Sequence, residues 1–302
     1  MAAQVPDIPT ELVSAGHERR LVLFAGAGVS RGRTRVDGKD TEQYLPTWGG
    51  LLVVLAERAV RDGYLDEREA VKLRKAVGDG KYLFVAEALR RRLGASAFDG
   101  ALDDIFRDPR LQPTRRHDLI TQVPFASIVT TNYDKLLEAA YAQRGYLPPA
   151  YTFDDSSDAI AAVGHNRFFI LKAHGDIDRK ESLVLSERDY RDVVYREPGY
   201  RAVLNTIFMT RTVLFIGTSM SDTDVNLVLE SANEAFRGKG PKHYALVPMA
   251  DAPEDEVLHW RDYFGIHLIR YRATKAHPQV DRFLEVLADK ISKYQPQRSS
   301  PA

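Results

Sequence analysis

The sequence predicts an α/β fold in which a parallel sheet lies between layers of helices, and three observations support this. Short apolar runs rich in β-branched residues alternate with segments of helical periodicity. Turns rich in glycine or polar residues follow these runs. The chain of 302 residues is long enough for a large domain that carries a substantial insertion.

Six runs are predicted as strands, because each is short, apolar and followed by a turn. They lie at residues 21–24, 127–130, 168–171, 212–216, 243–247 and 266–270. A sheet of about six parallel strands flanked by helices has a Rossmann-like architecture, and ligands of such sheets bind beyond the carboxyl ends of the strands. The residues that follow each strand are therefore the candidates for a binding site.

Roughly a hundred residues separate the first two predicted strands, whereas a crossover connection needs about a dozen. Apolar positions at helical spacing recur between them, with Thr47 as an N-cap and glycines as helix ends. These predicted helices span residues 48–61, 66–77, 81–93, 95–106 and 114–122. We therefore predict a Rossmann-like domain over 1–30 and 123–294, a mainly helical insertion subdomain over 31–122, and a disordered tail over 295–302.

The composition is that of a soluble globular protein, with 44% hydrophobic and 28% charged residues. Lysine plus arginine equals aspartate plus glutamate at 42 each, so no global field favours nucleic acid or a membrane surface. The sequence has neither a leader pattern nor a long apolar segment, which favours a cytoplasmic location. The absence of cysteine excludes cysteine-ligated zinc, and the eight histidines lack metal-binding spacing, so we expect no metal.

A small-residue turn, Gly-Ala-Gly-Val-Ser at 26–30, directly follows the first predicted strand. Such a turn brings backbone N–H groups close to the diphosphate of a nucleotide. The spacing departs from G-x-G-x-x-G, because Arg31 stands at the third glycine position, and a tight strand-to-helix turn without a ligand is the alternative. The polar residues 31–40 are interpreted either as a lid over the nucleotide or as a solvated loop.

Three further predicted strands also end in polar or small residues. They are followed by Thr-Asn-Tyr-Asp at 131–134, by His174 and Gly175, and by Gly-Thr-Ser at 217–219. Each has a structural alternative. Thr131 and Asp134 fit a capping box for a helix over 135–144, Ser221 and Asp224 fit another for the helix after Gly217, and a histidine next to glycine is common in turns.

Taken together, the four motifs resemble the sirtuin (Sir2) family, whose members bind NAD and cleave its nicotinamide–ribose bond. The pattern is similar above all to bacterial SIR2-like NAD hydrolases of antiphage defence, and the resemblance extends over about residues 20–270. Protein-deacylating sirtuins carry a four-cysteine zinc ribbon, which this sequence cannot form, so the helical insertion is expected to replace it. The resemblance therefore implies NAD as substrate and water as acceptor.

The resemblance also implies roles for individual residues. Asn132 positions the nicotinamide ribose and the attacking water, His174 is the general base, and Asp134 binds the nicotinamide carboxamide. The predicted NAD-binding residues are Gly26, Ala27, Gly28 and Ser30 at the diphosphate, Thr131 at the family's glutamine position, and Gly217, Thr218 and Ser219 on the adenosine side. Asp222 either binds a ribose hydroxyl or only favours a helix N-terminus.

Control of the activity is expected to come from assembly and from another protein, because unregulated NAD cleavage would kill the host. The resemblance implies a homo-oligomer and a separately encoded activator such as a HerA-type ATPase. Two other functions stay open from the sequence. One is a sensor that binds NAD or ADP-ribose without hydrolysis, and the other is an NAD-dependent protein deacylase.

Overall fold

A seven-stranded parallel sheet forms the centre of the fold in a computed structural model that describes residues 6–36, 39–219 and 223–296. Numbered in chain order, its strands are β1 (Leu21–Ala25), β4 (Ser127–Thr130), β5 (Ala150–Tyr151), β6 (Ile170–Lys172), β7 (Thr212–Ile216), β8 (His243–Pro248) and β9 (Ile266–Tyr271), and the intervening β2 (Arg31–Val36) and β3 (Lys39–Tyr44) pair as a separate antiparallel hairpin. The strand order is β5-β6-β4-β1-β7-β8-β9. The predicted parallel α/β sheet is confirmed, and the two-residue strand β5 is added at its edge.

Helices pack on both faces of the sheet, which explains why the strands are continuously apolar. The helices are α1 (Thr10–His17), α2 (Trp48–Arg61), α3 (Glu67–Gly78), α4 (Tyr82–Phe106), α5 (Arg115–Ile120), α6 (Leu136–Gln143), α7 (Ser156–Gly164), α8 (Glu187–Arg196), α9 (Pro198–Thr210), α10 (Thr223–Ala235), α11 (Glu254–Phe264) and α12 (Pro278–Lys293). Val22 and Phe24 of β1 pack in the cluster with α7, α9 and α10, whereas Leu21 and Leu23 pack with α1, α5 and α12. Successive side chains of β1 thus enter opposite cores. None of the helices in the described ranges has both the length and the apolar character that crossing a bilayer requires.

Helices α2, α3 and α4 build a third apolar cluster from the residues between β1 and β4. The Thr47 side chain caps α2 by accepting a hydrogen bond from the Gly50 N–H at 3.3 Å. The two helices predicted over 81–106 are joined as α4 with a break at Gly94, whose φ is 72°. Tyr133 and Ile177 belong to the same cluster, so the insertion packs directly against the segments that follow β4 and β6.

Two parts of segment 31–122 differ from a purely helical subdomain. The described residues 31–36 and 39–44 pair as the hairpin β2–β3, so the alternative of a strand-to-helix turn after residue 30 is wrong. Helix α5 packs against α12, and its Leu119 and Ile120 belong to the cluster of the sheet. The domain boundaries stay a prediction.

The turn after β1 and the turn after β7 are in direct backbone contact. The Gly26 N–H donates to the Ile216 carbonyl at 3.0 Å, and the Gly28 N–H donates to the Gly217 carbonyl at 2.8 Å. A Cβ atom on Gly26 would lie 2.4 Å from the Gly217 oxygen, and Gly217 itself has a φ of 69°. Glycine is therefore required at these positions because the two turns pack closely against each other, whether or not a ligand binds.

We expect Gly26→Ala to lower the free energy of unfolding by about 1–3 kcal/mol, because the added methyl group collides with backbone atoms that cannot rotate away. The matched control is Gly100→Ala in α4, where an added Cβ meets no atom within 4 Å. That change is expected to raise stability by about 1 kcal/mol through helix propensity. Urea denaturation of both variants measures the two effects, and equal stability of the two would contradict the packing argument.

Candidate active site

The residues predicted to form the site border one cavity of about 610 Å³ at the carboxyl ends of β1, β4, β6 and β7. Those that line it are Gly26, Ala27, Gly28, Ser30, Thr131, Asn132, Asp134, His174, Gly217, Thr218 and Ser219. Ser221 and Asp222 lie outside the described residues. Because the carboxyl ends of parallel strands lie at one edge of the sheet, four motifs far apart in sequence are brought together.

Asn132, Ser30 and Asp134 form a buried chain of hydrogen bonds between the turns after β1 and β4. The Asn132 amide donates to the Gly26 carbonyl at 3.1 Å and to the Ser30 hydroxyl at 3.0 Å, and that hydroxyl donates to Asp134 at 2.8 Å. Both amide hydrogens of Asn132 are thereby used. Its Oδ1 atom accepts no hydrogen bond from the described residues, so this oxygen is the part of the amide that a ligand in the cavity can contact.

Asp134 also holds the start of α6, because its second carboxylate oxygen accepts the Leu136 N–H at 3.0 Å. The alternative of a capping box between Thr131 and Asp134 is wrong, since the N-cap residue of α6 is Lys135, whose side chain makes no capping hydrogen bond. Asp134 instead ties the glycine turn to α6 through Ser30.

Lys172 supports this segment from within the sheet, with a side chain only 1% exposed. Its ammonium group donates to the carbonyls of Tyr133 and Asp134 and lies 3.3 Å from the Glu138 carboxylate. Lys172 stands two residues before His174, so one buried cation links the two strand ends that carry the predicted catalytic groups. Sequence reasoning missed it, although a lysine at the end of an apolar strand is itself unusual.

Asp176 and Lys135 form a second ion pair beneath the cavity, with 2.6 Å between the ammonium nitrogen and the carboxylate. Burial acts to raise the pKa of Asp176, but the charges of Lys172 and Lys135 outweigh it and hold that pKa below its ordinary value. The segment after His174 is therefore fixed by an ionised carboxylate at neutral pH.

His174 is half-buried, and its ring is held by an aromatic wall that the sequence did not reveal. The His174 Nε2 atom lies 3.1 Å from the Tyr190 hydroxyl, and the two rings meet edge to face with centroids 5.4 Å apart. Trp48 of α2 stacks on Tyr190 with a centroid distance of 6.4 Å. The insertion and α8 thus contribute the side of the cavity next to the imidazole.

The cavity continues beyond the predicted residues to the ends of β8 and β9. Asp251, Tyr271 and His277 line this part. The Lys275 ammonium group lies 3.4 Å from Glu42 of the hairpin, which joins the hairpin to the turn before α12. No group of three or more His, Cys, Asp or Glu residues within the described ranges is arranged to hold a metal ion.

Residues 126–269 match the family model described as a SIR2-like domain. The match begins just before β4 and ends in β9, so it covers the strand ends that carry Asn132, His174 and Gly217. The resemblance inferred from the motifs is confirmed.

Similarity to characterised proteins extends beyond the SIR2-like domain model. Defense-associated sirtuin 2 of Bacillus subtilis is 27% identical over 263 residues, which are 86% of this chain and 24% of that protein. Proteins named NAD(+) hydrolase ThsA are 26% identical in Cytobacillus dafuensis, over 81% of this chain and 44% of that protein, and 26% identical in Enterococcus faecium, over 86% and 49%. The chain thus spans less than half the length of these curated relatives.

A solved structure, described as a Sir2 homolog–NAD complex, is 13% identical to this chain with a TM-score of 0.45. The superposition covers 95% of this chain and 97% of that one.

We expect Ser30→Ala to destabilise the protein by about 1–3 kcal/mol, because it leaves an Asn132 N–H and an Asp134 oxygen without their buried partner. Ser14→Ala is the control, since that hydroxyl bonds only to the carbonyl of Glu11 at the surface, and its effect should stay within about 0.5 kcal/mol. Thermal and urea unfolding report both values. A Ser30→Ala protein as stable as Ser14→Ala would show that the chain of hydrogen bonds contributes little.

Proposed function

We propose that this protein is an NAD(+) glycohydrolase that cleaves the nicotinamide–ribose bond and releases nicotinamide and ADP-ribose. The observation that carries the proposal is the single cavity that joins the glycine turn, Asn132 and His174 in a SIR2-like domain. The relatives named NAD(+) hydrolase support the same reaction, and the antiphage role is proposed from the relative named as a defence-associated sirtuin.

The reaction needs a positioned water and an environment that tolerates positive charge at the ribose. As the bond from C1′ to the pyridinium nitrogen breaks, its electron pair goes to the nicotinamide ring, which leaves as a neutral molecule. Positive charge develops at C1′ and the ring oxygen, so little acid catalysis of departure is needed. The water oxygen forms the new bond to C1′, and its proton passes to a base and then to solvent.

Asn132 and His174 are the proposed catalytic residues. The Asn132 Oδ1 atom accepts a hydrogen bond from a ribose hydroxyl or from the attacking water, because its N–H groups are already engaged by the protein. His174 accepts the proton, a role suited to an imidazole near neutral pH. The Tyr190 hydroxyl at 3.1 Å orients the imidazole ring for this transfer. Asp134 binds the nicotinamide carboxamide with the lone pairs that Ser30 and Leu136 leave available.

The glycine turn is proposed to bind the diphosphate through Ala27. Its neighbours Gly26, Gly28, Val29 and Ser30 donate their N–H groups to carbonyls of the turn or of β7 and its following turn. Among the described residues, the Ala27 N–H has no hydrogen-bond partner and therefore remains for a phosphate oxygen. Gly217, Thr218 and Ser219 are proposed for the adenosine side, with Thr131 nearer the nicotinamide ribose, and a role for Asp222 at a ribose hydroxyl remains a prediction.

Assembly and a partner protein are proposed as the controls of the activity. Hydrolysis of free NAD is lethal without regulation, so we propose a homo-oligomer whose activity depends on a separately encoded activator, for example a HerA-type ATPase. The curated relatives are at least twice as long as the aligned part of this chain, so they offer regions for regulation that the alignment does not include.

Asn132→Ala and His174→Ala should each reduce nicotinamide release by about 10²–10⁴-fold, because each removes a positioned polar group from the reacting bond. The control is His165→Ala, whose exposed imidazole bonds only to the Ala161 carbonyl of its own helix, and which should keep full activity. Chromatography of the products after incubation with NAD, with and without the protein encoded next to this one, measures the effect.

Three outcomes of this experiment contradict the proposal. Full activity of purified Asn132→Ala would refute its catalytic role. Binding of NAD without nicotinamide release under either condition would indicate a sensor, and NAD consumption that requires an acylated peptide would indicate a deacylase.

A further inference from the structure

Arg116 of α5 is a buried arginine at the border of the cavity, with only 3% of its surface exposed. Its Nε donates to Asp281 at 2.7 Å, and its Nη1 donates to the carbonyls of Gly28 at 2.7 Å and Arg31 at 2.8 Å. Its Nη2 donates to the carbonyls of Ala276 and His277, both at 3.1 Å. All five N–H groups of the guanidinium are therefore used within the protein.

These contacts join three segments at one side chain. Gly28 belongs to the glycine turn, Arg31 begins the hairpin, and Ala276 and His277 form the turn before α12. Ala276 and His277 have φ values of 63° and 49°, a left-handed conformation that costs non-glycine residues about 1–2 kcal/mol each. Such a conformation persists where the surroundings hold it, and Arg116 binds both carbonyls.

We propose that Arg116 is a positioning residue for the diphosphate of the dinucleotide, an inference that rests on the proposed function. It acts through the backbone, because a guanidinium with no unused N–H has no hydrogen bond to offer a ligand directly. Binding the Gly28 carbonyl fixes the peptide plane between Gly28 and Val29, which closes the turn that leaves the Ala27 N–H unpaired.

Electrostatics point in the same direction. Four carbonyl oxygens at the edge of the cavity are directed at the Arg116 cation. Without that cation they would present partial negative charge beside a bound diphosphate, which carries two negative charges. By binding these carbonyls, Arg116 reduces their repulsion of a bound anion, and it also holds the glycine turn.

Arg115 provides a matched control on the same helix. Its guanidinium pairs with Glu285 of α12, as Arg116 pairs with Asp281 of α12, but its side chain is 65% exposed. Both arginines therefore link α5 to α12. Arg116 also binds the carbonyls of the glycine turn and of the turn before α12, and Arg115 does not.

The test is calorimetric titration of ADP-ribose into the unmodified protein, Arg116→Lys, Arg116→Met and Arg115→Met, with thermal unfolding of each. Lysine keeps the charge but lacks the planar fork, so we expect Arg116→Lys to weaken ADP-ribose binding about tenfold or more. Arg115→Met should bind within about twofold of the unmodified protein. In turnover assays, Arg116→Lys should raise KM for NAD while kcat at saturation changes little, because the N–H groups of Arg116 bind Asp281 and backbone carbonyls and not Asn132 or His174.

Unchanged ADP-ribose affinity in a folded Arg116→Lys protein would overturn the inference. An equal loss in Arg115→Met would overturn it as well, since the contact between α5 and α12 would then be the cause. A loss of kcat without a change in KM would also contradict it. If the unmodified protein binds ADP-ribose but releases no nicotinamide, the hydrolase proposal fails while the titration still decides the role of Arg116.

Discussion

The backbone contact between the turns after β1 and β7 is the constraint on which the rest of the cavity depends. Two hydrogen bonds join Gly26 and Gly28 to the end of β7 and its turn, and any Cβ at these glycines would overlap with backbone atoms. The contact fixes the Gly26 carbonyl, which in turn accepts the Asn132 amide. Asn132 follows β4, and the strands β4, β1 and β7 are neighbours in the sheet. The orientation of Asn132 therefore depends on the contact between the turns after β1 and β7.

Two buried cations, Lys172 and Arg116, also hold the segments at the strand ends in place. The segments at the strand ends are irregular, so their carbonyls lack the partners that a helix or sheet would supply. Lys172 binds the carbonyls of Tyr133 and Asp134 on one side of β1, and Arg116 binds carbonyls of the glycine turn and of the turn before α12 on the other. Burying a charge is unfavourable unless its donors are satisfied, and here each cation also has a carboxylate partner.

The strands, and the convergence of the residues that follow them at one edge of the sheet, could be predicted from the sequence because both depend on local patterns. Apolar runs such as 212–216 must be buried on two faces, and polar residues directly after them meet at one edge of a parallel sheet. The sequence explains Gly26 and Gly28 only by the approach of a diphosphate. In the structure, a Cβ atom at either position would also collide with the backbone of Gly217. Tyr190 and Trp48 could not be found this way, because no spacing in the sequence records that α8 and α2 meet at His174.

The insertion is coupled to the cavity by packing. Tyr133 stands between Asn132 and Asp134, and its ring meets Phe106 of α4 edge to face with centroids 5.6 Å apart, while its hydroxyl donates to the Val184 carbonyl at 2.8 Å. A chain without cysteine holds such a subdomain by noncovalent contacts, and the apolar ones here include Tyr133, which lines the cavity. A shift of α4 relative to the sheet would therefore move the segment that carries Asn132.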